Sequence, residues 1–147
     1  MKQKKKMATK QSKMVPQYVE FIPEVLSDGI LYISRTYKTV VHKCCCGCGE
    51  EVVTPLMPTE WTLSTNSSGV SLYPSIGNWS MPCRSHYWIR NSKVIWAGAM
   101  SRKQIDQGRE YDRQMKEGYF ADQESNEPDR KHWFDSLIEF LISIFKK

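Results

Sequence analysis

Residues 39–54 read Thr39-Val40-Val41-His42-Lys43-Cys44-Cys45-Cys46-Gly47-Cys48-Gly49-Glu50-Glu51-Val52-Val53-Thr54. Two β-branched runs flank a loop that holds four of the chain's five cysteines, made pliable by Gly47 and Gly49. Strand, thiol knuckle, strand is the arrangement of a zinc ribbon, because dense thiolates suit a soft, tetrahedral cation. The knuckle is answered downstream by Pro82-Cys83-Arg84-Ser85-His86, which supplies the fifth cysteine and a histidine. The first fourteen residues carry no apolar leader segment, so a reducing cytoplasm is the expected location. Five cysteines in that setting argue for metal or a reactive thiol over disulfides.

The ligand set has two readings. In an extended loop Cys44, Cys46 and Cys48 alternate to one side while Cys45 points away, and Cys83 completes a closed four-cysteine site. The other reading uses Cys46, Cys48, Cys83 and His86, with Cys83-x-x-His86 as the second knuckle. Either set fills four positions and leaves none for water, so a structural metal, zinc, is the expected cofactor.

Outward from the knuckle the texture stays β from Gln17 to about Trp96. Val25-Leu26 and Ile30-Leu31-Tyr32-Ile33 flank Ser27-Asp28-Gly29 as a hairpin turn. Trp61-Thr62-Leu63 and Val70-Ser71-Leu72-Tyr73 join through Asn66-Ser67-Ser68-Gly69, and Tyr87–Arg90 pairs with Lys93–Trp96 across Asn91-Ser92. Beyond Trp96 the chain turns helical. Ser101 can cap a polar helix that runs to Glu117 with Gly118 as its stop. Residues 121–129 read as an acidic linker, and the apolar run from Trp133 to Phe145 as a terminal helix too short to span a membrane. The expected fold is therefore mainly β (α+β): a small zinc-ribbon-like antiparallel domain with appended C-terminal helices. Its expected parts are a basic disordered tail (1–16), a zinc-pinned β domain carrying the site (17–98) and a helical extension (99–147).

The 147 residues suit one domain with a limited core, and 40% hydrophobic content says globular. The net charge of +5 is concentrated at the start, where six lysines precede Val15 with no acid among them. Without those six the balance is −1, so a basic nucleic-acid-binding face is not expected beyond the tail.

Chemistry beyond the metal would fall to serine and histidine. Ser75 lies in Leu72-Tyr73-Pro74-Ser75-Ile76-Gly77-Asn78, a strand ending in a tight turn bounded by Pro and Gly. If the all-cysteine metal site holds, His86 is free to act as a base. Neighbours in a strand point to opposite faces, so Ser85 and His86 would not naturally touch. Ser75 with His86 is the preferred dyad, with Ser85 as the other nucleophile and His42 as the other base. Backbone N–H groups near Gly77, or the Asn78 amide, would hold an oxyanion. Against this, serines in turns usually bond backbone, and a histidine near zinc is usually a ligand or its partner. A non-catalytic zinc module that binds a partner protein is thus the competing function.

Taken together, His42–Gly49, Trp61, Ser71–Asn78, Cys83–Ile89 and Val94–Trp96 resemble a family of small bacterial and phage proteins. Its pattern runs H-x-C-x-C-G-C-G, a Trp, S-L-x-P-S-I-G-N, C-x-S-H-Y-x-I and V-x-W. The resemblance covers roughly residues 18–97 and points to the peptidase component of bacterial ubiquitination-like (Bub) operons, which are linked to phage defence. It implies a deubiquitinase-like peptidase acting on a ubiquitin-like protein precursor or conjugate. The implied partners are that protein and its activating-enzyme-like and conjugating-enzyme-like proteins, with no specific nucleic acid. The pattern commonly has proline where this chain has Cys45, so a fifth thiol stands beside the ligands.

Overall fold

The computed structural model describes residues 9–126. The chain divides into two compact units, residues 1–106 and 107–147. The first unit holds two four-stranded sheets. One has the order β1 (Val15–Tyr18), β2 (Ile30–Ser34), β3 (Thr39–Lys43), β4 (Glu51–Pro55). The other is a meander of β5 (Thr62–Asn66), β6 (Gly69–Gly77), β7 (His86–Arg90) and β8 (Lys93–Trp96). All pairs are antiparallel except β1 with β2, which is parallel. The fold is thus mainly β with a helix following, and the cysteine cluster forms where the β3–β4 knuckle meets the loop before β7.

The two sheets share one core. Leu31, Ile33, Val40 and Val52 of the first bury against Val70, Leu72, Ile76, Tyr87, Ile89 and Val94 of the second. The first sheet is also covered on its outer face, where Tyr32 and Val41 pack with Leu26, Val19 and Ile22. Burial on both faces explains why Ile30-Leu31-Tyr32-Ile33 is continuously apolar, where a half-exposed strand would alternate. Leu26 belongs to this cover and not to a strand, so the hairpin expected around Ser27-Asp28-Gly29 does not form. On that side β2 pairs instead with β1, in parallel.

Of the stretch read as a tail, residues 1–8 lie outside the described residues. From Gln11 onward the chain is folded. Gln11 N–H donates to the Cys45 carbonyl, Met14 N–H to the Ser92 carbonyl, and Val94 N–H to the Ser12 carbonyl. Lys13 bridges Lys93, Lys10 Nζ sits 3.8 Å above the Trp96 ring, and Met14 is fully buried. This segment pairs with β8 of the second sheet before continuing as β1 of the first.

The helix α1 (Arg102–Asn126) starts as expected, with a reciprocal cap. Ser101 N–H donates to Gln104 Oε1 at 2.9 Å, and Gln104 N–H donates to Ser101 Oγ at 3.3 Å. It does not stop at Gly118. A single glycine costs about 1 kcal/mol in a helix interior, and good helix formers on both sides carry the helix on. Residues 121–126 of the expected linker are therefore helical, and the terminal apolar run lies outside the described residues. Within the second unit, Arg113 pairs with Glu110 and Glu117 at 2.6 Å on an exposed face.

Candidate active site and metal centre

The knuckle is closed by Cys44 N–H to the Glu50 carbonyl at 2.7 Å and Gly47 N–H to the Cys44 carbonyl at 3.1 Å. It is a closed loop tightly turned at Cys44–Gly47, not the extended loop assumed from the alternation. Gly47 and Gly49 take left-handed backbone angles (φ 85° and 86°) that a side chain would strain. Cys83 arrives from the loop before β7, folded back by Asn78 N–H to the Ser85 carbonyl and Arg84 N–H to the Met81 carbonyl.

The sulfurs of Cys44, Cys46, Cys48 and Cys83 all lie within 4.8 Å of one another. Cys44 Sγ is 3.4 Å from Cys46 Sγ and 3.9 Å from Cys83 Sγ. Tetrahedral zinc with bonds of about 2.3 Å needs sulfurs roughly 3.8 Å apart, so the donor set fits such an ion. None of the five cysteines is in a disulfide. Burial pushes the Cys46 and Cys48 thiols up, so their thiolates need a cation for company. Burial also raises Cys83, but hydrogen bonding to the Ser85 hydroxyl and N–H and to Cys46 and Cys48 outweighs it, bringing that thiol down to about 7. Cys45 stands apart: buried, 3.6 Å from Met14 Sδ, and pushed up to about 12 by desolvation.

Ser85 and His86 do point to opposite faces. Ser85 is buried beside the thiols, with its Oγ 3.0 Å from Cys44 Sγ and 3.5 Å from Cys83 Sγ. Asn78 Nδ2–H donates to Ser85 Oγ at 2.9 Å, so the one serine proton is left to be shared between the Cys44 and Cys83 sulfurs. The Asn78 amide is thereby turned inward, away from the place an oxyanion donor would need. His42 is fully buried and reaches Tyr87 Oη at 2.9 Å, bridging the two sheets internally, and Ser75 is not among its partners.

His86 faces outward and meets Ser75. Its Nε2 lies 2.9 Å from Ser75 Oγ, and its Nδ1 lies 3.3 Å from the Gly98 carbonyl. A carbonyl only accepts, so Nδ1 carries the proton and the Nε2 lone pair faces the serine hydroxyl. The Gly98 carbonyl is delivered by Ala97 N–H bonding the His86 carbonyl at the end of β8. Trp79 and Trp88 flank the imidazole, with ring centroids 4.9 and 5.5 Å away. The Trp79 ring also lies over Gly77, where a Cβ would clash with the indole nitrogen.

Ser75 is inside β6 and not in a terminal turn. Leu72 pairs with Ile89 and Ile76 with Tyr87, so Tyr73, Pro74 and Ser75 together oppose Trp88. Pro74 has no N–H for the ladder, and a bulge is where a strand tolerates it. Beyond the bulge Gly77 faces His86, which places Ser75 diagonally across from the imidazole. The bulge was not legible from spacing, although Pro74 within a strand was its signal. The Gly98 carbonyl left no signal, because any residue supplies one.

A serine hydroxyl on the free nitrogen of a histidine whose other nitrogen faces a carbonyl is the pairing by which serine hydrolases activate a nucleophile, here in a domain whose four clustered thiols could hold a metal ion. Residues 18–97 match the BubE family, the bacterial ubiquitination-like system serine protease, and the chain belongs to that family. No curated protein and no solved structure gives a significant match. No helix among the described residues is long and apolar enough to cross a membrane.

Proposed function

We propose that this chain is a zinc-stabilised serine peptidase that cleaves after the tail of a ubiquitin-like protein, releasing it from a precursor or a conjugate. The observation that carries the reading is the 2.9 Å approach of Ser75 Oγ to His86 Nε2, with Nδ1 committed to the Gly98 carbonyl. Ser75 Oγ attacks the scissile carbonyl while its proton passes to Nε2. The imidazolium then gives that proton to the leaving amine, and water, deprotonated by the same nitrogen, hydrolyses the acyl-enzyme. The Gly98 carbonyl stabilises the imidazolium, and the two tryptophans limit its rotation. The metal supplies structure: Cys44, Cys46, Cys48 and Cys83 would hold zinc, with Ser85 and Asn78 orienting the thiolates. The family's place in a bacterial ubiquitination-like system supports a ubiquitin-like substrate, and the phage-defence setting is what the motif resemblance implies.

The test is cleavage of a ubiquitin-like precursor from the same operon, with metal content measured in every preparation. Ser75→Ala and His86→Ala are expected to lose at least about a thousandfold in kcat/KM with metal retained. Ser85→Ala is expected to keep turnover while holding metal about 10–100-fold more weakly. Unchanged cleavage by Ser75→Ala would refute the assignment.

A further inference from the structure

A groove of about 450 Å³ lies on the first unit between the β2–β3 turn and β5. Its apolar lining includes Leu56, Met57, Trp61 and Leu63, and its charged lining is Arg35 and Lys38, with no carboxylate among the lining residues. Both cations are exposed, and Arg35 rests 5.2 Å from the Tyr18 ring. Thr62, Leu63 and Thr65 bring β5 itself into the wall. That strand ends its sheet, and among the described residues no backbone hydrogen bond reaches its outer edge. An open strand edge beside apolar recesses is the setting in which an extended peptide adds as a further strand.

We infer that this groove docks an extended acidic segment of the protein substrate, paired along the open edge of β5, its apolar side chains on Leu56, Trp61 and Leu63 and its carboxylates on Arg35 and Lys38. Charge complementarity selects this occupant, since both charges in the lining are positive. The β5–β6 hairpin links the groove to the candidate active site: Thr62 pairs with Tyr73, two residues before Ser75. As a substrate site the groove rests on the peptidase reading, whereas its affinity for an acidic strand does not.

The probe is a fluorescein-labelled hexapeptide alternating Glu and Leu, titrated by anisotropy into the full chain carrying Ser75→Ala. Controls are a Lys–Leu peptide and a Glu–Leu peptide N-methylated at alternate amides. The acidic peptide is expected to bind at least tenfold more tightly than either control. Adding Arg35→Glu and Lys38→Glu, at exposed turn positions that leave the core intact, is expected to weaken it at least tenfold. Equal binding of acidic and basic peptides, or no effect of the charge reversal, would overturn the inference. Acidic-peptide binding by a chain whose Ser75 form cleaves no precursor would leave the groove standing and remove the peptidase reading. Cleavage without such binding does the reverse.

Discussion

His42 shows how strongly one residue's setting outweighs its type. Its ring is wholly enclosed, with Nε2 on Tyr87 and Nδ1 without a partner among the described residues, and desolvation holds its pKa down to about 4. An unfolded chain would protonate this histidine near 6.5, so between those values the unfolded state binds the extra proton. Stability from His42 is therefore complete above about pH 6.5 and falls as the pH drops toward 4, by roughly 3 kcal/mol. The imidazole resonances of His42 should hold their neutral positions from pH 8 to pH 5. A midpoint near 6.5 in that titration would contradict the enclosed geometry. Ser85 makes the complementary point. Next to a histidine in sequence it resembled a nucleophile, yet alternation along β7 commits its hydroxyl to the thiol cluster and leaves His86 for Ser75.

At the scale of elements, the segment between the lysine-rich start and β1 shows how the sheets are tied. Its backbone bonds reach Cys45 on one side and Ser92 and Val94 on the other. Met14 fills the core between them and touches Cys45. Met14→Ala should cost about 2–5 kcal/mol, seen as a lower urea midpoint with unchanged slope. A loss under 1 kcal/mol would mean that the segment is not seated as described. Composition marked residues 1–16 as tail because lysines dominate them, and one methionine gives no periodicity to read. The hairpins at Asn66–Gly69 and Asn91-Ser92 were legible, since their turn residues suit the backbone required; Asn91 and Ser92 both take positive φ. The far end of α1 was not, because a glycine can end a helix or merely weaken it.

Across the β unit as a whole, the cysteine cluster joins the two sheets: three of its thiols come from the β3–β4 knuckle and one from the loop entering β7, and together they could hold a metal ion. Structural zinc contributes on the order of 10 kcal/mol, comparable to the whole net stability of a small domain. Chelation of the loaded protein should therefore release one metal per chain, make all five thiols reactive, Cys45 included, and abolish the β-sheet circular dichroism in one cooperative step. A metal-free chain with an unchanged melting temperature would exclude this role. The sequence by itself determined the strand–knuckle–strand plan, the four thiols and the serine and histidine types, because turn chemistry, β-branched runs and ligand spacing are local. Only the tertiary structure decided which serine meets His86, that His86 stays off the cysteine cluster, and that Cys45 is core. Those choices depend on a three-residue bulge in β6 and on which face of β7 each side chain takes once two sheets close on a shared core.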